Sequence, residues 1–298
     1  PTLGDRPLNQ ITPAEIQKLY AHLKKRGRIR KHKKYGRQLS DSMVRCIHTL
    51  LHEALGAAEQ LRLIPRNPVA DVTAPKQKPP PKQILNDEQL DTFMAAIQAD
   101  DIWRDFFYTE LTTGLRLGEI CGLRWEDFDA EHGVLNIQRT VHVEKGGVLT
   151  TGDTKTYAGT RKIVLPASTV QCLRERKEAA LTDWIFPNPL KPELPVNPRA
   201  AYSRLKVLLK DTGLPSIRFH DLRHTFSTHA LSSGVDAKTL SGILGHSRAS
   251  FTLDTYTHVT GDMQKRASEV VGDFLTELLG EELKPWQSAE NGAAAASI

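Results

Sequence analysis

The spacing of apolar positions predicts helices in the first quarter of the chain. Apolar residues recur at helical spacing after Thr12 and again after Ser40, and Thr and Ser are residue types that cap helices. Thr12 is followed by Pro13 at the first helical position and by Glu15 three residues later, which is the pattern of a capping box. We therefore predict a small all-helical domain over residues 1–73.

Proline-rich stretches mark the connections between predicted elements. Residues 74–84 contain the run APKQKPPPK, which has no apolar periodicity and is typical of a semi-rigid extended linker. A second domain is predicted over residues 85–283, and a low-complexity tail that we expect to be disordered follows over residues 284–298. Within the second domain, the proline-rich residues 188–197 are expected to form a surface loop between two helices.

The second domain combines amphipathic helices with one region of strand-like alternation. Residues 133–143 alternate between apolar and polar side chains, Lys145-Gly146-Gly147 is a turn signal, and residues 148–151 return. A third strand is predicted over residues 161–165. The predicted fold class is therefore mainly α with a small antiparallel β-sheet.

Basic residues are concentrated in the first domain. Residues 1–83 contain 17 Lys and Arg against 6 Asp and Glu, a net charge of +11, whereas the remaining 215 residues contain 23 against 29, a net charge of −6. Charge runs are usually solvated surface, but the density of this one and its interrupting glycines favour contact with a phosphate backbone. The predicted DNA-binding residues are Lys24, Lys25, Arg26, Arg28, Arg30, Lys31, Lys33, Lys34 and Arg37.

Composition limits the compartment and the class of protein. Apolar residues make up 39% of the chain, but no apolar run approaches the roughly 20 residues of a membrane span. The three cysteines form neither a zinc pattern nor a disulfide framework, and no signal peptide opens the sequence. We therefore expect a cytoplasmic protein without a membrane partner. The chain begins at Pro1, so we expect a fragment or a processed form.

Six residues of the second domain form a candidate set for phosphoryl transfer. They are Arg116, Lys155, His220, Arg223, His246 and Tyr256. Arginine forks bind phosphate oxygens and can stabilise the transition state without a metal. Histidines exchange protons near neutral pH, a lysine can protonate the departing oxygen, and a tyrosine becomes a nucleophile where cations favour its phenolate. Taken singly, each histidine or arginine of this set is better explained as a surface or capping residue than as a catalytic one.

Two other interpretations account for some of these residues. His220 and His224 have the spacing of a zinc motif, but Asp221 stands where a glutamate base is required, and no third ligand is evident. A non-enzymatic DNA-binding protein would explain the basic domain and would leave the candidate set without a role. We predict neither a metal nor another cofactor.

Three segments resemble, in this order, the signature blocks of tyrosine recombinases, the phage-integrase family, and in particular the integrases of conjugative transposons. The segments are TGLRLGEICGLRW, HDLRHTFSTHAL and LGHSRASFTLDTYTHV. The segments QITPAEIQKLYAHL and LIPRNPVADV resemble the core-site-binding domain of that family, and TKTYAGTRKIVLP resembles its catalytic hairpin. The resemblance implies that Arg116 and Arg223 activate the phosphate, Lys155 is the general acid, His220 and His246 assist, Tyr256 is the nucleophile, Glu119 orients an arginine, and His258 supports the site.

The resemblance also implies a reaction and an assembly. Family members recombine DNA at specific sites through a 3′-phosphotyrosyl intermediate, without ATP or a metal, and their two domains form a clamp around the duplex. We expect dimers to tetramers on DNA, together with accessory DNA-bending or directionality proteins. Residues 141–153 are interpreted as an inserted element that contacts a neighbouring subunit. The predicted C-terminal helix, residues 262–279, packs on its own domain or on a neighbour, and the sequence leaves both open. A type IB topoisomerase-like enzyme also stays open.

Overall fold

The computed structural model describes residues 3–76, 83–153 and 159–245, and every structural statement below concerns these residues. The chain divides into two compact units, Pro1–Pro81 and Lys82–Ile298, and the division falls within the stretch predicted as a linker. The described residues are mainly helical with small antiparallel sheets. Among them, no helix has the length and apolar character needed to cross a membrane. The predicted C-terminal helix and tail lie outside the described residues.

The first unit is built on two helices, α1 (Pro13–Arg26) and α2 (Asp41–Gln60). Both predicted caps are confirmed, since Glu15 N–H donates to Thr12 Oγ1 at 3.4 Å and Met43 N–H donates to Ser40 Oγ at 3.3 Å. A short 3₁₀ helix, Pro68–Asp71, packs against both helices. The core of the unit contains Ile16, Tyr20, Val44, Leu55, Ala58, Ile64, Val69 and Val72.

The basic residues between α1 and α2 lie largely on a compact hairpin, residues 28–37. Arg28 N–H donates to the Arg37 carbonyl at 2.9 Å, and the backbones of His32 and Gly36 exchange hydrogen bonds of 2.7 and 2.9 Å. Gly36 has a φ of +58°, a conformation that glycine adopts without strain. The predicted loop is therefore an ordered turn, and of the nine predicted DNA-binding residues only Arg28 is half-buried while the others are exposed.

The second unit contains seven described helices packed around an aromatic core. They are α3 (Asp87–Gln98), α4 (Arg104–Thr113), α5 (Leu117–Cys121), α6 (Ala167–Glu178), α7 (Pro198–Asp211), α8 (Phe219–Ser232) and α9 (Ala237–Leu244). In the core, Phe106 makes edge-to-face contacts with Phe107 at 5.4 Å and Phe186 at 5.2 Å between ring centroids. The helix α4 is preceded by a turn in which the carboxylate of Asp100 accepts from the N–H groups of Ile102 and Trp103.

Seven short strands in the described part of this unit form three antiparallel sheets. The strands are β1 (Phe128–Asp129), β2 (Val134–Ile137), β3 (Arg139–Val143), β4 (Leu149–Asp153), β5 (Arg161–Val164), β6 (Pro187–Asn188) and β7 (Lys191–Pro195). The first sheet has the order β1-β2-β5, with Val134 opposite Val164. The second pairs β3 with β4, with Arg139 opposite Asp153, and the third pairs β6 with β7.

The prediction of one continuous strand over residues 133–143 is wrong. The chain breaks at Gln138, so that β2 joins one sheet and β3 joins another. The cause is close packing of β3 against α5, because a Cβ atom on Gly118 would lie 2.3 Å from Thr140 Oγ1. The side chain of Arg139 also forms an ion pair with the buried Asp127. Because of these contacts, β3 does not continue β2 in the same sheet.

The prediction of a proline-rich surface loop over residues 188–197 is also wrong in part. Residues 187–195 form the β6–β7 hairpin, in which Pro187 lies opposite Pro195. Two further hydrogen bonds hold the hairpin, from the Trp184 indole to the Glu193 carbonyl at 3.2 Å and from Val196 N–H to the Phe186 carbonyl at 2.9 Å. A two-stranded ribbon tolerates proline because its outer edges need no partner.

Candidate active site

Arg116 lies at the turn between α4 and α5. The preceding Gly114 ends α4 with a φ of +60°, and a Cβ atom there would lie 2.4 Å from Phe226 Cδ1, so both the backbone and the packing require glycine. Arg116 N–H then donates to Glu119 Oε2 at 3.0 Å, and its Nη1 donates to Glu119 Oε1 at 2.6 Å. The side chain stays 41% exposed, so it remains accessible to a ligand although Glu119 holds it.

Arg223 lies on α8 and is almost completely buried, with 1% of its surface exposed. Its Nη1 donates to the Gly114 carbonyl at 2.8 Å and its Nη2 to the Leu244 carbonyl at 2.6 Å. Burial and the neighbouring charge of Arg116 lower the pKa of Arg223 to about 10. The guanidinium therefore remains charged at neutral pH, and it joins the end of α4 to the end of α9.

His220 lies one helical turn before Arg223 on α8, as the spacing of the sequence predicts. The residue is exposed, and its ring meets the edge of His224 at 4.6 Å between centroids. Partial removal of the ring from water and the charge of Arg223 lower the pKa of His220, against the opposing effect of Asp221. The imidazole is therefore neutral at pH 7 and able to donate or accept a proton.

Arg161, the first residue of β5, belongs to the same cluster and was not predicted from the sequence. Its side chain is 7% exposed. It donates to both carboxylate oxygens of Glu119, at 3.2 and 2.8 Å, to the Ile243 carbonyl at 2.6 Å, and to the Gly159 carbonyl at 3.1 Å. Its position after the predicted hairpin is visible in the sequence, but nothing there indicates that it turns inward.

The carboxyl end of α9 collects the three arginines. Arg161 donates to the carbonyl of Ile243, Arg223 to that of Leu244, and Arg116 Nη2 to that of Gly245 at 3.0 Å. The last carbonyls of a helix lack intrahelical partners and carry a partial negative charge, so guanidinium groups satisfy them well. Gly245 has a φ of +65°, which ends the helix at this point. We call this arrangement the arginine clamp.

Glu119 is the only acidic partner of the clamp among the described hydrogen bonds, and it is 3% exposed. Burial by itself would raise the pKa of Glu119. Hydrogen bonds and charge from Arg161, together with the N–H and the charge of Arg116, outweigh burial and lower that pKa. The carboxylate is therefore ionised at neutral pH and holds two arginines at once.

A second buried carboxyl, that of Glu110 on α4, accepts no hydrogen bond from an arginine of the described residues. It is fully buried, and neither of its oxygens has a hydrogen-bond partner among the described residues. Burial raises the pKa of Glu110 well above its ordinary value, although the charge of Arg223 opposes the change. Burial therefore favours the protonated form of this carboxyl over the carboxylate.

The structure brings together four of the predicted site residues, namely Arg116, Glu119, His220 and Arg223. Lys155, His246, Tyr256 and His258 lie outside the described residues. Within the described part of the chain, no three His, Cys, Asp or Glu side chains are grouped so that they could hold a metal ion. The described groups are instead suited to an anion, because the positive charges of Arg116 and Arg223 lie near the imidazole of His220 and lower its pKa.

Comparison with known proteins shows similarity to a family of integrases and recombinases. The phage integrase family matches residues 83–262. A tyrosine recombinase XerC-like protein of Caldanaerobacter subterraneus subsp. tengcongensis is 30% identical over 213 aligned residues, covering 64% of this chain and 54% of the relative. The ICEBs1 integrase of Bacillus subtilis is 26% identical over 282 residues, covering 90% of this chain and 72% of the relative. The chain thus spans only about half the length of the first of these relatives.

A solved structure has the same fold. The Tn1549 transposon integrase in complex with transposon right end DNA matches with a TM-score of 0.75 and 24% sequence identity, over 91% of this chain and 89% of the other. Since the matched family segment makes up more than half of the sequence, the chain belongs to the phage integrase family. The assignment made from the three sequence blocks is confirmed.

Proposed function

We propose that this protein is a site-specific DNA recombinase, of the integrase or excisionase type found on mobile elements, that cleaves and rejoins duplex DNA. The observation that carries the proposal is the arginine clamp with His220 beside it, in a chain that belongs to the phage integrase family. Such a cluster stabilises charge that develops on a phosphodiester in the transition state. It requires no metal and no ATP, because the energy of the broken bond is kept in a covalent link.

The proposed chemistry proceeds in two balanced steps. The Tyr256 hydroxyl oxygen attacks the scissile phosphorus and gives its proton to one of the histidines, His220 or His246, while the bond from phosphorus to the 5′ oxygen breaks and Lys155 protonates that oxygen. A 3′-phosphotyrosyl link and a free 5′-hydroxyl result. In the second step a 5′-hydroxyl from a partner duplex attacks the link and gives its proton to Lys155, and the departing Tyr256 oxygen takes back the proton held by the histidine. Arg116 and Arg223 bind the non-bridging oxygens, His220 and His246 assist, and His258 supports the site.

Duplex DNA is the proposed substrate of both units. The basic hairpin of the first unit and its flanking cations present exposed charge suited to phosphates. We propose that this unit binds the duplex that the second unit cleaves, and that the two domains together enclose the DNA.

Each round of recombination cuts four strands, and each chain has one proposed nucleophile, so four copies act together on two duplexes. Residues 141–153 and the C-terminal helix are proposed as contacts between copies. Accessory DNA-bending or directionality proteins are proposed partners, and the cytoplasm is the proposed compartment.

A covalent capture experiment tests the proposal. The purified chain is incubated, in EDTA, with duplexes of randomised sequence that carry a nick just 3′ of the position to be cleaved. Cleavage releases a short fragment whose 5′-hydroxyl diffuses away, so the protein stays attached to the DNA and is seen on a denaturing gel. We expect an adduct with the wild-type chain and none with Tyr256→Phe. The captured sequences give the preferred duplex for later work.

Other outcomes identify other functions. Binding to DNA without an adduct would favour a non-enzymatic DNA-binding protein. An adduct without sequence preference, together with relaxation of supercoiled plasmid, would favour a type IB topoisomerase-like enzyme. An adduct that EDTA prevents would overturn the metal-independent mechanism. An adduct with Tyr256→Phe would show that another residue is the nucleophile.

A further inference from the structure

Arg161 joins three segments that are far apart in the sequence. Its guanidinium donates to Glu119 on α5, to the Ile243 carbonyl on α9, and to the Gly159 carbonyl just before β5. The bond to Ile243 spans 82 positions of sequence and the bonds to Glu119 span 42. These four bonds use the Nε and both Nη atoms, so the orientation of the guanidinium is fixed.

Each of these segments leads directly to a residue of the proposed mechanism. Arg116 precedes α5 and shares the carboxylate of Glu119 with Arg161. Lys155 lies six positions before Arg161, and His246 lies three positions after Ile243. The described hydrogen bonds of Arg161 all go to protein atoms. Because its side chain is only 7% exposed, it has little access to a phosphate of the DNA.

The shape of the guanidinium matters to this arrangement. A planar fork binds the two oxygens of a carboxylate in one orientation, whereas an ammonium group acts as a point charge and leaves the orientation open. Glu119 bound in this way offers Oε1 to Arg116 at 2.6 Å in a fixed direction. Without the fork, Glu119 would lose a partner for each oxygen, and Arg116 would no longer be held at one angle to the end of α9.

We propose that Arg161 is a positioning residue for strand transfer: by fixing Glu119 and the carboxyl end of α9, it holds Arg116 in the direction needed to bind the scissile phosphate. This inference rests on the proposed function. It assigns Arg161 no contact with DNA and predicts that its loss acts through Arg116.

Arg176 on α6 provides a matched control. Its Nε donates to the Ile185 carbonyl at 2.7 Å and its Nη1 to Asp105 Oδ2 at 3.0 Å, so it also joins one carboxylate to one backbone carbonyl. Its described hydrogen bonds and ion pair involve none of the proposed catalytic residues. Arg176→Lys therefore makes the same chemical change in the same unit, away from the arginine clamp.

The experiment compares Arg161→Lys, Arg176→Lys and wild type on two forms of the captured nicked duplex. One has an ordinary scissile phosphate, and the other has a methylphosphonate, which lacks the charge that Arg116 would bind. We expect Arg161→Lys to form adduct about 100-fold more slowly than wild type on the phosphate, with DNA affinity unchanged. On the methylphosphonate most of that difference should disappear. Arg176→Lys should differ little from wild type, and by the same factor on both duplexes.

The outcomes separate the two proposals. Absence of any adduct with wild type overturns the proposed function, and this inference with it. If wild type is active and Arg161→Lys is equally fast, or is slowed equally on both duplexes, only the positioning role is overturned. Thermal unfolding shows whether Arg161→Lys folds. If it does not, Glu119→Gln, which removes the charge and keeps the size of the group, is expected to show the same phosphate-dependent loss, and a uniform loss there counts against the role.

Discussion

Two groups of arginines in this protein have opposite environments. On the basic hairpin of the first unit, Arg30 and Arg37 are exposed, and the structure gives them no ion pair among its described residues. In the arginine clamp of the second unit, Arg223 is 1% exposed and Arg161 7%, and both donate to backbone carbonyls. The first group keeps its water and its freedom of rotation, and the second has exchanged both for fixed hydrogen bonds.

This difference in exposure indicates that arginine side chains serve two functions in this protein. Exposed cations attract a polyanion over distance, and salt weakens that attraction because it depends on the release of counterions. Buried, oriented donors contribute where charge develops in a transition state, since they need no rearrangement when the reaction occurs. We therefore expect substitutions in the hairpin to change affinity and its salt dependence, and substitutions in the clamp to change the rate of cleavage.

The largest effect is expected for Arg223→Lys. A lysine cannot bond the carbonyls of Gly114 and Leu244 together, so the charge would lose its fixed position. The rate of adduct formation should fall roughly 100- to 1,000-fold. The matched change Arg30→Lys in the hairpin should leave that rate unchanged at saturating DNA. Similar rates for the two variants on the captured duplex would remove the distinction between the groups.

A smaller effect is expected for the hairpin variant Arg30→Gln, Lys31→Gln, Lys33→Gln. Each of these cations is exposed, and each phosphate interaction that the variant removes should reduce the slope of log affinity against log salt by about 0.9. Fluorescence anisotropy over a salt series measures the slope. Lys177→Gln on α6 removes an exposed cation from the second unit and serves as control. An unchanged slope in the hairpin variant would show that this surface does not bind the duplex.

Glu110, the buried carboxyl near Arg223, predicts a pH dependence of stability. Its folded-state pKa is raised above the ordinary value of 4.5, so the folded chain keeps a proton that the unfolded chain releases as pH rises through that value. The stability of wild type therefore decreases with rising pH, by up to about 1.4 kcal/mol per pH unit from this group, until the folded pKa is passed. Glu110→Gln removes this dependence.

Urea unfolding of wild type and Glu110→Gln from about pH 5 to pH 8 measures the effect. The difference in the free energy of unfolding should move in favour of the variant as pH rises. A constant difference over this range would contradict a raised pKa of Glu110 in the folded protein.

The smallest effect is expected at an exposed ion pair of the first unit. Arg66 Nη2 lies 2.7 Å from Asp71 Oδ1, with side chains 69% and 47% exposed. Because water and salt screen such pairs, Arg66→Gln should change the free energy of unfolding by less than about 1 kcal/mol. A larger loss in urea unfolding would show that exposure is a poor guide to the energetics of the arginines in this chain.

Local signals in the sequence were sufficient for the helices. The caps at Thr12 and Ser40 act within three residues, and each makes the predicted side-chain bond to the backbone. The break at Gln138 has no such signal, since it depends on the close approach of Gly118 to β3. The β6–β7 hairpin was missed for a related reason. Its prolines lack the backbone N–H groups that pair strands, so the sequence indicates a loop, whereas hydrogen bonds of Trp184 and Val196 hold the hairpin in the folded chain.

The residues of the candidate site also fall into two groups, those that the sequence predicts and those that it does not. Arg116, His220 and Arg223 lie in recognisable motifs, so they could be predicted. Arg161 bonds the backbone carbonyls of Gly159 and Ile243, and any residue type supplies a carbonyl, so such a partner leaves no trace in the sequence. Glu110 lies on an apolar helix face and accepts no hydrogen bond from the described residues, and its burial becomes visible only once α8 packs on α4.

The arginine clamp also sets the order of events during synthesis. Arg116 and its carbonyl partner Gly245 are 129 positions apart, and Arg223 and Gly114 are 109 apart. A ribosome delivers the chain from the amino end, and domains fold as their residues emerge. The clamp therefore cannot close on a nascent chain until Gly245 has left the exit tunnel. A translation product that stops earlier carries the exposed cations of the first unit without an assembled site, and under the proposed function we expect it to bind DNA without cutting it.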